Sequence, residues 1–67
     1  MSKTETLKMI DYAMEGIRSE MAGIGLQFTE RGLDVKRAGE LVSRTGELYS
    51  DLLALNYRRE KIMQGAE

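Results

Sequence analysis

Between Leu7 and Phe28 the large apolar residues fall at Leu7, Ile10, Met14, Ile17, Met21, Ile24 and Phe28, in strict alternation of three and four. A spacing that averages three and a half residues holds one narrow seam on one side of a helix and demands another helix against it. No strand reading accommodates it, because a strand buries every second residue. The chain contains no proline, so nothing in it forbids helix on backbone grounds. Ser2 followed three residues later by Glu5 has the spacing of a capping box, with Glu5 expected to reach back to a free amide. Gly16, Gly23 and Gly25 interrupt the seam in composition but not in phase. Each weakens the helix by roughly 1 kcal/mol relative to alanine.

The second half repeats the pattern. Ala38, Thr45, Leu52 and Arg59 form one row, and Leu41, Leu48, Leu55 and Ile62 form the other. Between the halves, Gly32 can take the left-handed conformation that ends a helix, with Leu33 expected to touch Phe28. Asp34 is suited to cap the next helix. These signals predict a first helix over about residues 3–30, a turn over about 30–34 and a second helix over about 35–64, in one domain spanning 1–67. Folding the chain back at Leu33 pairs Phe28 with Ala38, Ile24 with Leu41, Met21 with Thr45, Ile17 with Leu48, Met14 with Leu52 and Ile10 with Leu55. Large faces small in the first and third of those layers, as interdigitation requires. Glu20 then falls opposite Arg44 with complementary charge. The alternative is one uninterrupted helix in a long coiled coil, which would hold Gly25, Gly32 and Gly39 in its middle at roughly 1 kcal/mol each. The expected fold class is therefore all-α, an antiparallel two-helix hairpin.

A hairpin of 67 residues sits near the lower limit for a chain that folds alone. With no cysteine and no histidine it has no disulfide, no thiolate metal site and no imidazole base to draw on. Self-association into a dimeric four-helix bundle is the expected additional source of stability. The residues available for it lie beside the seams. On the second helix these are Val42, Tyr49, Leu53 and Met63, with Gly46 among them. On the first, Met9, Tyr12 and Leu26 share a different face with Gly16 and Gly23. Glycine recurs every seven residues at 16 and 23, and again at 25, 32, 39 and 46, a spacing that lets a further helix approach closely. Met9, Tyr12, Val42, Tyr49, Leu53 and Met63 are the candidate interface residues, serving either as a dimer core or as a groove for a helical segment of another protein. Five methionines suit both, since thioethers adapt to irregular contacts.

Other chemistries find less in the sequence. Ten basic and eleven acidic residues nearly cancel, so steering toward nucleic acid or anionic lipid is not expected. No apolar run approaches the ~20 residues that span a bilayer, and Met1-Ser2-Lys3-Thr4-Glu5 lacks the apolar core of a signal peptide. A cytoplasmic location is the expectation. Arg37, Arg44 and Arg58 share one heptad position, interrupted by Asp51, and would be the residues to contact an RNA backbone. Rop-like regulators, helical hairpins that dimerise and bind RNA loops, are similar in length and architecture, without a shared motif. Glu40, Glu47 and Glu60 dilute any cationic patch here. Asp11 with Glu15, and Glu47 with Asp51, stand one helical turn apart and would be the carboxylate pairs available to a metal or a shared proton. On a helix surface such pairs mostly solubilise.

The stretch Met14-Glu15-Gly16-Ile17-Arg18-Ser19-Glu20-Met21, with Gly32-Leu33 and Glu47-Leu48, resembles over about half the chain the small hairpin phosphatases that act on sporulation response regulators. That family carries Ser-Gln-Glu-Leu-Asp on its second helix. The corresponding stretch here reads Thr45-Gly46-Glu47-Leu48-Tyr49, without the aspartate and at a longer spacing between helices. The resemblance therefore implies a hairpin and carries no catalytic residue over. The function expected from the residues is non-catalytic, without a cofactor or metal: a small helical protein-interaction module such as an adaptor, chaperone or regulator. A Rop-like RNA-binding four-helix bundle is the alternative, and a hairpin phosphatase acting on response regulators is the third.

Overall fold

The computed structural model describes residues 2–65. It is an antiparallel hairpin of two helices, α1 (Lys3–Gln27) and α2 (Val35–Met63), forming a rod of 49 × 15 × 15 Å. Both helices begin where side chains can take the first free amides. The Ser2 hydroxyl accepts from the Glu5 amide at 3.1 Å, and the Asp34 carboxylate accepts from the Arg37 amide at 2.7 Å. Glu5 does not reach back to an amide as expected; its carboxylate accepts the Ser2 hydroxyl instead, at 3.2 Å. α1 runs unbroken through Gly23-Ile24-Gly25, because the seam on either side of the glycines stays packed.

α1 ends three residues before the sequence-based expectation. The Phe28 amide still bonds to the Ile24 carbonyl, but Thr29 and Glu30 bond three residues back, to Leu26 and Gln27. Those shorter steps tighten the last turn and close the helix. Thr29 reinforces the exit by donating its hydroxyl to the Leu26 carbonyl at 2.7 Å. The chain then reverses through Gly32, whose φ is +82°. Leu33 turns inward onto the cluster of Ile24, Leu41 and Leu48, while Phe28, its expected contact, stays 43% exposed. The connection is a seven-residue loop over residues 28–34 rather than a tight glycine cap.

Packing follows the paired layers except the one nearest the turn, where Phe28 stays exposed and outside both clusters and Leu33 packs in its stead. Near the turn, Ile24, Leu41 and Leu48 are buried, with Ile17, Met21 and Leu33 against them. Near the open end, Ile10, Met14 and Ile62 are buried, with Leu7, Leu52 and Leu55 against them. The two polar residues in the α2 rows are accommodated by bonding. Thr45 donates its hydroxyl to the Leu41 carbonyl at 2.8 Å, and Arg59 extends its guanidinium to Asp11 at 2.6 Å. The core is thin: its most enclosed members, Leu41, Leu48 and Ile62, each retain 3% of their surface.

Two predictions follow from this packing. Leu41→Ala should cost about 2–5 kcal/mol, the range for a buried leucine, read from urea denaturation by circular dichroism. Glycines at the turn and in the helix should respond with opposite signs. Gly32→Ala forces a side chain into the left-handed region and should destabilise by about 1–2 kcal/mol. Gly25→Ala meets nothing within 4 Å and should stabilise by about 0.5–1 kcal/mol.

Candidate interaction surface

Because each helix gives one stripe to the other, the hairpin has two flanks, and they differ in chemistry. One is polar and bonded across the helices. Arg44 donates to Glu20 through Nε at 2.8 Å and through a terminal nitrogen at 3.2 Å, and reaches Glu47 at 3.2 Å. Arg37 donates to Gln27 at 3.0 Å and to Glu40 at 3.3 Å. The expected Glu20–Arg44 pair is thus present with two-pronged geometry, which fixes orientation as well as distance. The Arg44 hydrogen bonds hold the Glu20 carboxyl below its ordinary value of 4.5, against a smaller opposing push from desolvation. The same bonds raise the Arg44 guanidinium further above its ordinary range. Two of the arginines considered for RNA contact are therefore already engaged with carboxylate or amide oxygens of their own chain. A shallow groove of about 330 Å³ lies along this flank, lined by Gly23, Gln27, Arg37 and Arg44 among others.

The other flank is closed at one end by the Asp11–Arg59 pair, with Arg59 also donating to the Met63 sulfur at 3.1 Å. That pairing gives Asp11 a cationic partner on α2, where the sequence had suggested only Glu15 as its neighbour. Along this flank α2 presents Val42, Tyr49 and Met63 at one heptad position and Leu53 at the adjoining one. All four are more than half exposed.

The six candidate interface residues do not form one surface. Met9 and Tyr12 are also more than half exposed, but Met9 lies on the opposite flank. There it lines a groove of about 290 Å³ with Thr6, Ile10, Ala13, Leu55 and Arg58. Tyr12, 84% exposed, sits at the heptad position pointing away from α2. The α1 and α2 rows, read on different faces of their helices, do face different directions, and the continuous apolar surface belongs to α2. Val35 and Tyr57, both largely exposed, were not among the candidates. Val35 continues the Val42–Tyr49 row by one heptad, a signal present in the spacing. Tyr57 lies beside that row with the Lys61 ammonium 5.3 Å from its ring centre.

Residues corresponding to the phosphatase-like stretch have structural partners. Thr45 bonds to the α2 backbone, Glu47 to Arg44, and Leu48 is buried. Among the described residues, no helix is long and apolar enough to cross a membrane.

The polar flank makes a pH prediction. Glu20 has a lowered pKa in the folded chain, so its contribution is complete above 4.5 and is lost as pH falls through the lowered folded value. Thermal melts of the protein and of Glu20→Gln should differ at neutral pH and converge in acid. A difference that persisted well below that range would assign the effect to something other than the carboxylate. Comparison of the chain with protein-family models, with curated proteins and with solved structures finds no match.

Proposed function

We propose that this protein is a non-catalytic helical interaction module, an adaptor, chaperone or regulator that acts through an oligomeric helical surface. The observation supporting this reading is the row Val42, Tyr49, Leu53 and Met63, held in solvent on a helix whose other apolar stripe is already occupied. Scattered exposed apolar residues are ordinary on a protein surface, but several aligned on one face mark a contact. Tyrosine and methionine are suited to such contacts, since they combine apolar area with a polar tip or a flexible stem. The rod form favours the same role. A hairpin with few enclosed residues has little interior in which to build a solvent-excluded reaction site, and much surface along which to lie against another helix.

Size-exclusion chromatography with light scattering across a range of concentrations tests the reading. The protein should run at a multiple of the chain mass, and Tyr49→Asp should shift it toward the single chain. Helical circular dichroism at low temperature should be largely retained. Unchanged association in Tyr49→Asp would remove this face from the interaction.

A further inference from the structure

α2 carries a second heptad row that the hairpin does not use. Val35, Gly39, Val42, Gly46, Tyr49 and Leu53 alternate by four and three, as the buried row does, one residue out of phase with it. One residue of offset turns this row ~100° around the helix from the seam that meets α1. Its large members are exposed, Val35 by 90% and Val42 by 62%. Its glycines have no role within one chain, because a Cβ at Gly39 or Gly46 would meet nothing within 4 Å. Helical glycine without a packing reason is a cost, and here the large residues beside it supply the reason once a second helix is present.

Resting on the interaction-module reading, we infer that the occupant of this row is α2 of a second copy of the chain, running antiparallel. The row is self-complementary in that arrangement. Tyr49 of each copy lies over Gly46 of the other, and Val42 lies over Leu53, so a large residue meets a small one at the centre and two medium ones meet outside it. Both contacts occur twice about the two-fold axis, as an isologous interface requires. Asn56 faces Gly39 further out, and Glu60 meets Val35 only at the ends, where its carboxylate reaches water. Sliding the copies by one heptad in one direction sets Glu60 against Val42 inside the contact, which buries a charge without a partner. Sliding the other way shortens the overlap to residues 35–53.

The area agrees with one such partner. The chain exposes 5104 Å², whereas a compact protein of this length exposes about 4,300 Å². The difference is comparable to the ~800 Å² that each side contributes to a standard interface. In this dimer α2 forms the inner pair and α1 lies outside, so Met9 and Tyr12 take no part in the contact.

The chain has no cysteine, so single cysteine substitutions give one spin label per copy. Ser50→Cys and Lys36→Cys both lie at the edge of the row. In the antiparallel dimer the Ser50 labels should be within ~20 Å and the Lys36 labels ~35 Å apart, from the helical rise and the spacing of packed helices. Short distances at both sites would mean parallel helices and overturn the register. A dimer mass with a long Ser50 distance would place the contact on another face, overturning this inference while leaving the module reading intact. A single-chain mass at every concentration would overturn both. Gly46→Leu provides a separate test, since helix propensity and the proposed contact predict opposite effects. Helicity should hold or rise, and the dimer dissociation constant should increase at least tenfold. Dimerisation as tight as the parent's in that variant would overturn the inference.

Discussion

The fold depends on a single interhelical seam. Two helices can offer each other only one stripe apiece, and here those stripes are closed by alternating layers from Leu7 to Ile24 and from Leu41 to Ile62. Loss of apolar surface from water along that line is the main favourable term available. It must offset the ordering of a chain of 67 residues. The core has no depth beyond the seam, so each layer matters and no second shell of packing can compensate for one removed. The ends of the helices and the loop are held by capping groups because the seam alone does not determine where a helix stops.

Around that line the polar residues set orientation more than strength. Glu20, Gln27, Arg37 and Arg44 bond across one flank, and Asp11 with Arg59 bonds across the other. All are partly exposed, and exposed ion pairs contribute little net stability in water. Their effect is selective: a shift of one helix along the other would separate these partners as well as the layers. Thr45 and Arg59 are instructive because they occupy seam rows where an apolar residue would fit. Each is retained without an unsatisfied polar group, one through the helix carbonyl behind it and the other through a stem that packs while its head reaches Asp11.

The glycines divide by their surroundings. Gly32 has a backbone conformation that a side chain would strain, so the turn itself accounts for it. Gly39 and Gly46 are helical and open to solvent, and the hairpin has no use for them. They alternate with the exposed Val35, Val42 and Tyr49 along one side of α2. Of the two heptad rows on α2, α1 covers one, and the other stays exposed.

Much of the fold could be read directly from the order of residues. Heptad phase is a local property, and two stripes of matching phase separated by a left-handed glycine and a capping aspartate specify a hairpin, its layers and the Glu20–Arg44 pair. The end of α1 was not legible, because Phe28 continues the apolar phase while Thr29 and Glu30 already bond three residues back. That the α1 residues occupy a different face from the α2 row was legible, but not which flank of the hairpin each one reaches. Periodicity places a residue on a face of its own helix, but the direction of that face relative to the other helix follows from how the two stripes dock. Docking sets Val42, Tyr49, Leu53 and Met63 along one flank, sends Met9 to the other and leaves Tyr12 outward. The sequence by itself determined which residues form the seam; only the tertiary structure decided which of the remainder share a surface, because that depends on the rotation of one helix about the other.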